Sequence, residues 1–238
     1  RRGYYMEKLK YLMTYTIIGI LLSVAILLTS TELIAFNMSN YRSSFEKYNI
    51  STKTGIDKEN LEYVVKDLLS YLRDEKDVLD TVTVIKGEER VVFGERERLH
   101  MVDVKELFVK GWTIRNISIT ILGLLVLFVI VKDQLWKRNL SKSLFYTGIG
   151  NILLIGIFLL LLYFDFSKYF TYFHQIFFNN DLWILNPNTE ILIQMVPEGF
   201  FYDTAIKIIS LFISSISIIG SVGYILYRNK AIYKANYK

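Results

Sequence analysis

Apolar residues along this chain are gathered into blocks. Four stretches, about Tyr11–Thr31, Ile114–Val131, Leu144–Phe164 and Thr204–Tyr227, are almost wholly apolar, and each is close to the ~20 residues that cross ~30 Å of hydrocarbon as a helix. The pattern divides the chain into an N-terminal segment 1–10, a first span 11–31, an outer segment 32–113, a second span 114–131, a short loop 132–143, a third span 144–164, a second outer loop 165–203, a fourth span 204–227 and a tail 228–238. The first stretch exceeds a signal-peptide apolar region and no small-residue cleavage pattern follows it, so it is expected to remain as an anchor.

Between spans one and two the periodicity changes. Ser51 to Asp57 reads as a loop with Asp57 as N-cap, after which Leu61, Val64, Val65, Leu68, Leu69 and Leu72 recur at helical spacing. The runs Thr81–Ile85 and Arg90–Phe93, joined by Lys-Gly-Glu-Glu, predict a short hairpin. From Glu95 to Phe108 the pattern is helical again, with Leu99, Val102, Leu107 and Phe108 able to share a face. A short interfacial helix leading through Gly111 and Trp112 into span two is expected. The predicted fold class is an all-α polytopic membrane protein: four transmembrane helices, a small α+β extracellular segment between spans one and two, and an aromatic interfacial loop between spans three and four.

Composition agrees with this partition. Hydrophobic residues make up 52% and charged residues 21%, with a mean hydropathy of +0.31, which excludes a disordered chain or an ordinary soluble bundle. The segments before span one, between spans two and three and after span four hold twelve basic residues against the acids Glu7 and Asp133, a charge of +10. The remainder of a chain of formal charge +5 therefore carries −5. Lys and Arg in short loops stay in the cytoplasm, so both termini are expected inside and the longer connections outside. The basic balance is thereby accounted for, and no basic stripe is left for nucleic acid. There is no cysteine, which excludes disulfides, thiol redox chemistry, a cysteine acyl-enzyme and zinc sites built on thiolates.

The chain has two histidines, His100 and His174, and both map to the outer side. Asp103 stands three residues after His100 on a predicted helix, where its carboxylate can orient the imidazole. His174 lies in the second outer loop among Phe170, Tyr172, Phe173, Phe177, Phe178, Trp183, Phe200, Phe201 and Tyr202, rings too numerous all to face water. The plain readings are a surface His–Asp pair and an aromatic belt that only anchors the loop. An ionisable group near membrane depth is a functional candidate, and two converging imidazoles suit proton transfer near neutral pH. A catalytic zinc would need a third ligand such as Glu97, Asp103 or Asp181, but no HExxH spacing is present. The near-miss to a nucleophile elbow, Gly220-Ser-Val-Gly223, sits in a predicted span.

The run Glu97-Arg-Leu-His-Met-Val-Asp-Val-Lys105, together with Phe173-His-Gln-Ile-Phe-Phe-Asn-Asn-Asp-Leu-Trp183, Leu185-Asn-Pro187, Ile191-Leu192 and Pro197-Glu-Gly-Phe-Phe201, resembles the lipoprotein intramolecular transacylases of Gram-positive bacteria. The four-span layout agrees over nearly the whole chain. The second block is the more specific, and the region 41–85 carries little of the likeness. The resemblance implies transfer of the sn-2 acyl chain of a diacylglyceryl-cysteine to its own α-amine, leaving an N-acyl lyso-lipoprotein. It implies His100 and His174 as catalytic residues, supported by Asp103, Arg98, Glu97, Asn180, Asp181 and Trp183, with diacylated lipoproteins and membrane lipids as partners and no metal or other cofactor.

In that reading His100, oriented by Asp103, is the expected base for the α-ammonium. His174, Asn180 and backbone amides are expected to stabilise the oxyanion or protonate the leaving oxygen, although the two roles can be exchanged. Asp181 or Glu198 can hold the ammonium first. Nucleophile and electrophile sit in one substrate, so proximity can replace a covalent intermediate. Two other readings stand beside it: a non-enzymatic sensor with an extracellular ligand-binding domain, and a metal-dependent membrane hydrolase.

Overall fold

In the computed structural model, residues 2–229 are described, with side chains from Leu9 onward. Arg1, Lys230, Lys234 and Lys238, and the side chains of Arg2, Glu7 and Lys8, all of which enter the charge argument, lie outside the described residues. The element order is α1 (Arg2–Ala35), α2 (Met38–Lys47), α3 (Ile50–Thr54), α4 (Lys58–Leu72), β1 (Val82–Ile85), β2 (Glu88–Val91), α5 (Glu95–Lys132), α6 (Trp136–Phe164), α7 (Phe166–Phe177), α8 (Ile191–Met195) and α9 (Glu198–Arg228). Helices α1, α5, α6 and α9 are long and apolar enough to cross a membrane. The chain divides into two compact units.

One unit takes the residues up to Thr31, then Thr113–Leu160, and those from Ile208 onward. Leu124, Leu127, Leu153, Leu154 and Ile218 are exposed on its helices, as a lipid-facing surface requires. The connection expected over 132–143 is only a three-residue turn, because Asp133 folds it tightly. Its carboxylate is buried and accepts from the Leu135 N–H at 2.9 Å, the Asn139 amide at 2.8 Å and the Tyr15 hydroxyl at 2.7 Å. Lys137, Arg138 and Lys142 therefore stand on the first turns of α6. Further along, α6 and α9 approach through Gly148 and Gly220: a Cβ on Gly148 would lie 3.0 Å from the Gly220 Cα, so a side chain there would have to push the two helices apart.

The other unit, Glu32–Trp112 with Leu161–Lys207, holds a core of its own. Asp57 caps α4, accepting the Asn60 N–H at 2.9 Å. The helix then buries Leu61, Val64, Val65, Leu68, Leu69 and Leu72 in a cluster with Ile50, Ile56, Phe93, Met101, Leu192, Met195 and Phe200. Four expectations are corrected here. The stretch before Asp57 is not all loop, since α3 occupies Ile50–Thr54 and ends at Gly55 in the left-handed region, φ 72°. The hairpin is tighter than its sequence suggests: Lys86 and Gly87 both take positive φ, a two-residue turn that starts β2 at Glu88 and pairs Ile85 with it. The helix from Glu95 is not a separate interfacial piece. It runs unbroken to Lys132, because the lone Gly111 costs a helix only ~1 kcal/mol and no proline intervenes. The second outer loop contains α7 and α8, and α9 begins at Glu198, ahead of the expected Thr204.

Candidate active site

The site grows from the first turns of α5. These precede its apolar stretch 114–131 and carry Glu95, Arg96, Glu97, Arg98, Asp103, Lys105 and Glu106. Glu97, 2% exposed, folds back to accept the Gly94 N–H at 2.6 Å, as half of a capping box. Its other oxygen accepts the N–H of Leu192 in α8 at 2.6 Å. One turn later His100 is 8% exposed, with its ring edge-on to Phe178 at 5.4 Å.

Helix α7 supplies the second histidine. Asp165 caps it through the Lys168 N–H at 3.1 Å. Phe166, Tyr169, Phe170, Phe173, Ile176 and Phe177 then form a broad apolar arc opposite Ser167, Lys168, Thr171 and Gln175. His174 sits at the edge of that arc, 8% exposed. It is stacked on Trp183 at 4.7 Å and set edge-on to Phe170 at 4.5 Å. Its Nδ1 is 2.7 Å from the Phe170 carbonyl oxygen. A carbonyl can only accept, so in the neutral ring Nδ1 carries the proton and Nε2 is left basic. The two imidazole centroids are 6.2 Å apart, with Phe178 beside both.

The loop after α7 is tied to α5 by side chains. The Asn180 amide donates to Asp103 at 2.9 Å, its own Oδ1 accepts the Leu182 N–H at 3.0 Å, and its carbonyl accepts from the Trp183 indole at 3.0 Å. Arg96 donates to the Asp181 carbonyl and lies 3.6 Å from the Asp181 carboxylate. Of the residues singled out in sequence, Glu97, His100, Asp103, His174, Asn180, Asp181 and Trp183 thus come together. Arg98 does not join them. Two residues from His100 it faces some 200° around the helix, and its side chain makes no hydrogen bond or ion pair among the described residues. Asp103 engages Asn180 rather than the His100 ring. Glu198 accepts from Ser167. Arg96 was not singled out in the sequence, and Phe178 only as one ring of the second outer loop; the sequence signal for Arg96 is its place one helical turn before His100.

Burial sets the protonation of this site. It pushes His100 down to about 4, helped by the neighbouring His174 and opposed by Asp103. Burial also lowers His174, against the Phe170 carbonyl that favours its charged form. Glu97 is raised by burial despite its two backbone donors. Near neutral pH both rings are neutral, one with a free basic nitrogen defined by its hydrogen bond. Among the described residues no group of three or more His, Cys, Asp and Glu side chains is gathered as a metal site needs. The arrangement is suited to moving a proton between two points a few ångströms apart in a surrounding of aromatic rings.

A family model described as lipoprotein intramolecular transacylase Lit matches residues 16–201. Among solved structures, the membrane-integral lipoprotein intramolecular transacylase Lit from Bacillus cereus is similar at 22% identity and a TM-score of 0.72, over 94% of this chain and 98% of that one. Two variants of the same protein, with one histidine replaced by arginine or by alanine, each align at a TM-score of 0.74, with 22% and 21% identity. They cover 98% and 97% of this chain and 98% and 99% of theirs. A search of curated proteins gives no match.

Proposed function

Since the chain belongs to the lipoprotein intramolecular transacylase family, and is therefore a multi-pass membrane acyltransferase acting on lipoproteins, we propose that it moves the sn-2 ester acyl chain of a diacylglyceryl-cysteine to the α-amine of the same cysteine. The product is an N-acyl S-monoacylglyceryl lipoprotein. The observation that carries this reading is the pairing of the chain's only two histidines at 6.2 Å among one cluster of aromatic rings.

The α-ammonium, of pKa ~7.7–8.0, gives its first proton to solvent. The free amine attacks the ester carbonyl and the C–N bond forms. Nε2 of His174 takes the second proton from the attacking nitrogen and delivers it to the glyceryl oxygen as the C–O bond breaks, so the histidine ends as it began. His100, a weak base because of its burial, suits the complementary task of donating a hydrogen bond to the tetrahedral oxyanion. This exchanges the roles first expected from the sequence, and the exchange rests on the Phe170 carbonyl at His174 Nδ1. Asp103, Asn180 and Trp183 hold the loop against the rings. No acyl-enzyme is needed, because proximity within one substrate lowers the entropic barrier.

The charge partition puts both termini in the cytoplasm and the histidines outside. The two faces of α7 support that placement. The apolar one is exposed at Tyr172, Phe173, Ile176 and Phe177, the opposite one is polar, and His174 stands at their edge. A helix so divided lies along the outer leaflet and holds His174 near the depth of the substrate's esters. The test is mass spectrometry of lipoprotein N-termini in a host that makes only diacyl lipoproteins, with and without this chain. Conversion to the N-acyl lyso form is expected; unchanged diacyl termini at full expression would overturn the reading.

A further inference from the structure

Two buried side-chain nitrogens of the described residues have no hydrogen-bond partner, Nε of Arg96 and Nδ1 of His100. They stand four residues apart on one face of α5, the spacing at which helical side chains meet. A helical side chain also leans back toward the turn before it, which brings the His100 ring over the turn of Arg96. The two atoms are complementary. A guanidinium Nε–H can only donate, and an imidazole Nδ1 accepts whenever the ring proton is on Nε2. A buried polar atom left unpaired is destabilising, and the i, i+4 spacing makes each a candidate partner for the other on a small turn of either side chain. The far edge of Arg96 is fixed by the Asp181 carbonyl and by its carboxylate at 3.6 Å. Asp103, the other charged group on this face, is bonded to Asn180 at 2.9 Å.

We infer that Arg96 is a positioning residue for His100: its Nε–H donates to His100 Nδ1 and holds the ring in the tautomer that carries its proton on Nε2. Asp181, Arg96 and His100 then form a chain in which a carboxylate orients a guanidinium and the guanidinium orients an imidazole. The consequence is chemical. His174 has its proton on Nδ1 and presents a lone pair, whereas His100 presents an N–H, so the pair offers one acceptor and one donor to a reaction that moves one proton and builds one oxyanion. A carboxylate at His100 Nδ1 would enforce the opposite tautomer. The mechanistic use of this tautomer rests on the transacylase reading; the tautomer itself does not.

The experiment reads it directly. The full chain, labelled with ¹⁵N-histidine and held in lipid nanodiscs at pH 7.5, contains only two imidazoles, and His174→Gln assigns them. In wild type, His100 Nδ1 is expected to resonate as an unprotonated nitrogen and Nε2 as a protonated one. Arg96→Met should shift the His100 population toward Nδ1–H and lower kcat about tenfold or more, the lower end of what orienting a reactive imidazole is worth, with KM moving less. Asp181→Asn, which keeps the Nε donor, should leave the tautomer as in wild type. A protonated Nδ1 in wild-type His100, or an unchanged tautomer in Arg96→Met, overturns the inference; if Arg96→Met fails to fold, the wild-type spectrum decides alone. The expected tautomers in a protein that converts no lipoprotein would uphold Arg96 and overturn the reaction instead.

Discussion

The carboxylate of Glu97 accepts the backbone N–H of Leu192 at 2.6 Å across 95 positions of the chain. This bond joins the helix that carries His100 to the short helix α8 beyond the aromatic segment. Among the described residues no ion pair reaches this buried carboxylate, and its two backbone N–H donors make it a clamp between the start of α5 and α8.

Glu97→Gln turns an amide toward one of two N–H donors and leaves that donor unpaired. A loss of ~1–3 kcal/mol is expected, the cost of an unsatisfied buried group, read as a lower unfolding midpoint in detergent. Glu97→Ala should lose at least as much. A wild-type midpoint in both variants would remove the clamp role.

Asp103 holds the Asn180 loop, and through Asn180 the Trp183 indole. Asp103→Ala should therefore slow acyl transfer by about tenfold, as loss of an orienting partner typically does. The His174 titration should move upward, because the loop that shields that ring is loosened. If activity fell while only the His100 ring changed, Asp103 would be acting on His100 directly, as its i, i+3 spacing first suggests.

Much of this was legible because it is local. The Asp57 cap, the apolar face of α4 and the four long apolar stretches are written in spacing that a helix reads within a few turns. The histidines stood out by scarcity. What the sequence could not show depends on distant partners. Asp103 sits where it could orient His100, and only the fold reveals Asn180, 77 positions away, as its partner. Arg96 looked like one charge in an Glu-Arg-Glu-Arg run until Asp181 gave it a place. Helix α7 was hidden by its own aromatics: so many rings read as a loop buried in lipid, although Asp165 and the 3.6-residue recurrence from Phe166 to Phe177 were present. Arg98 illustrates the reverse, since it stands two residues from His100 in sequence but faces away from it around the helix.

Trp183 stacks on His174 at 4.7 Å with 27° between planes. Trp183→Leu removes a ring contact of ~0.5–1.5 kcal/mol and opens the imidazole to water. Less desolvation should return the His174 pKa toward ~6.5, seen by NMR titration of the same two histidines. An unmoved titration would mean that Phe170, Phe173 and Phe178 alone keep the ring dry.

The dependence of turnover on pH follows from the direction of these shifts. Both histidines are lowered, His100 to about 4, so each is already neutral when pH rises past ~6.5. The reacting amine, with pKa ~7.7–8.0, is not yet free at that point. The logarithm of kcat/KM should therefore climb with unit slope toward pH 8 and level off above it, with a second, steeper fall on the acid side of ~6.5 as His174 protonates. Stability should follow the same sense. An unfolded chain binds protons at both histidines near ~6.5 while the folded one does not, so stability is greatest above that pH and declines as pH drops toward 4. A substrate whose amine is less basic should move the upper break downward by the same amount and leave the lower break in place. A rate that fell as pH rose through 6.5 would show that an imidazolium is required, and the neutral pair argued for here would be wrong.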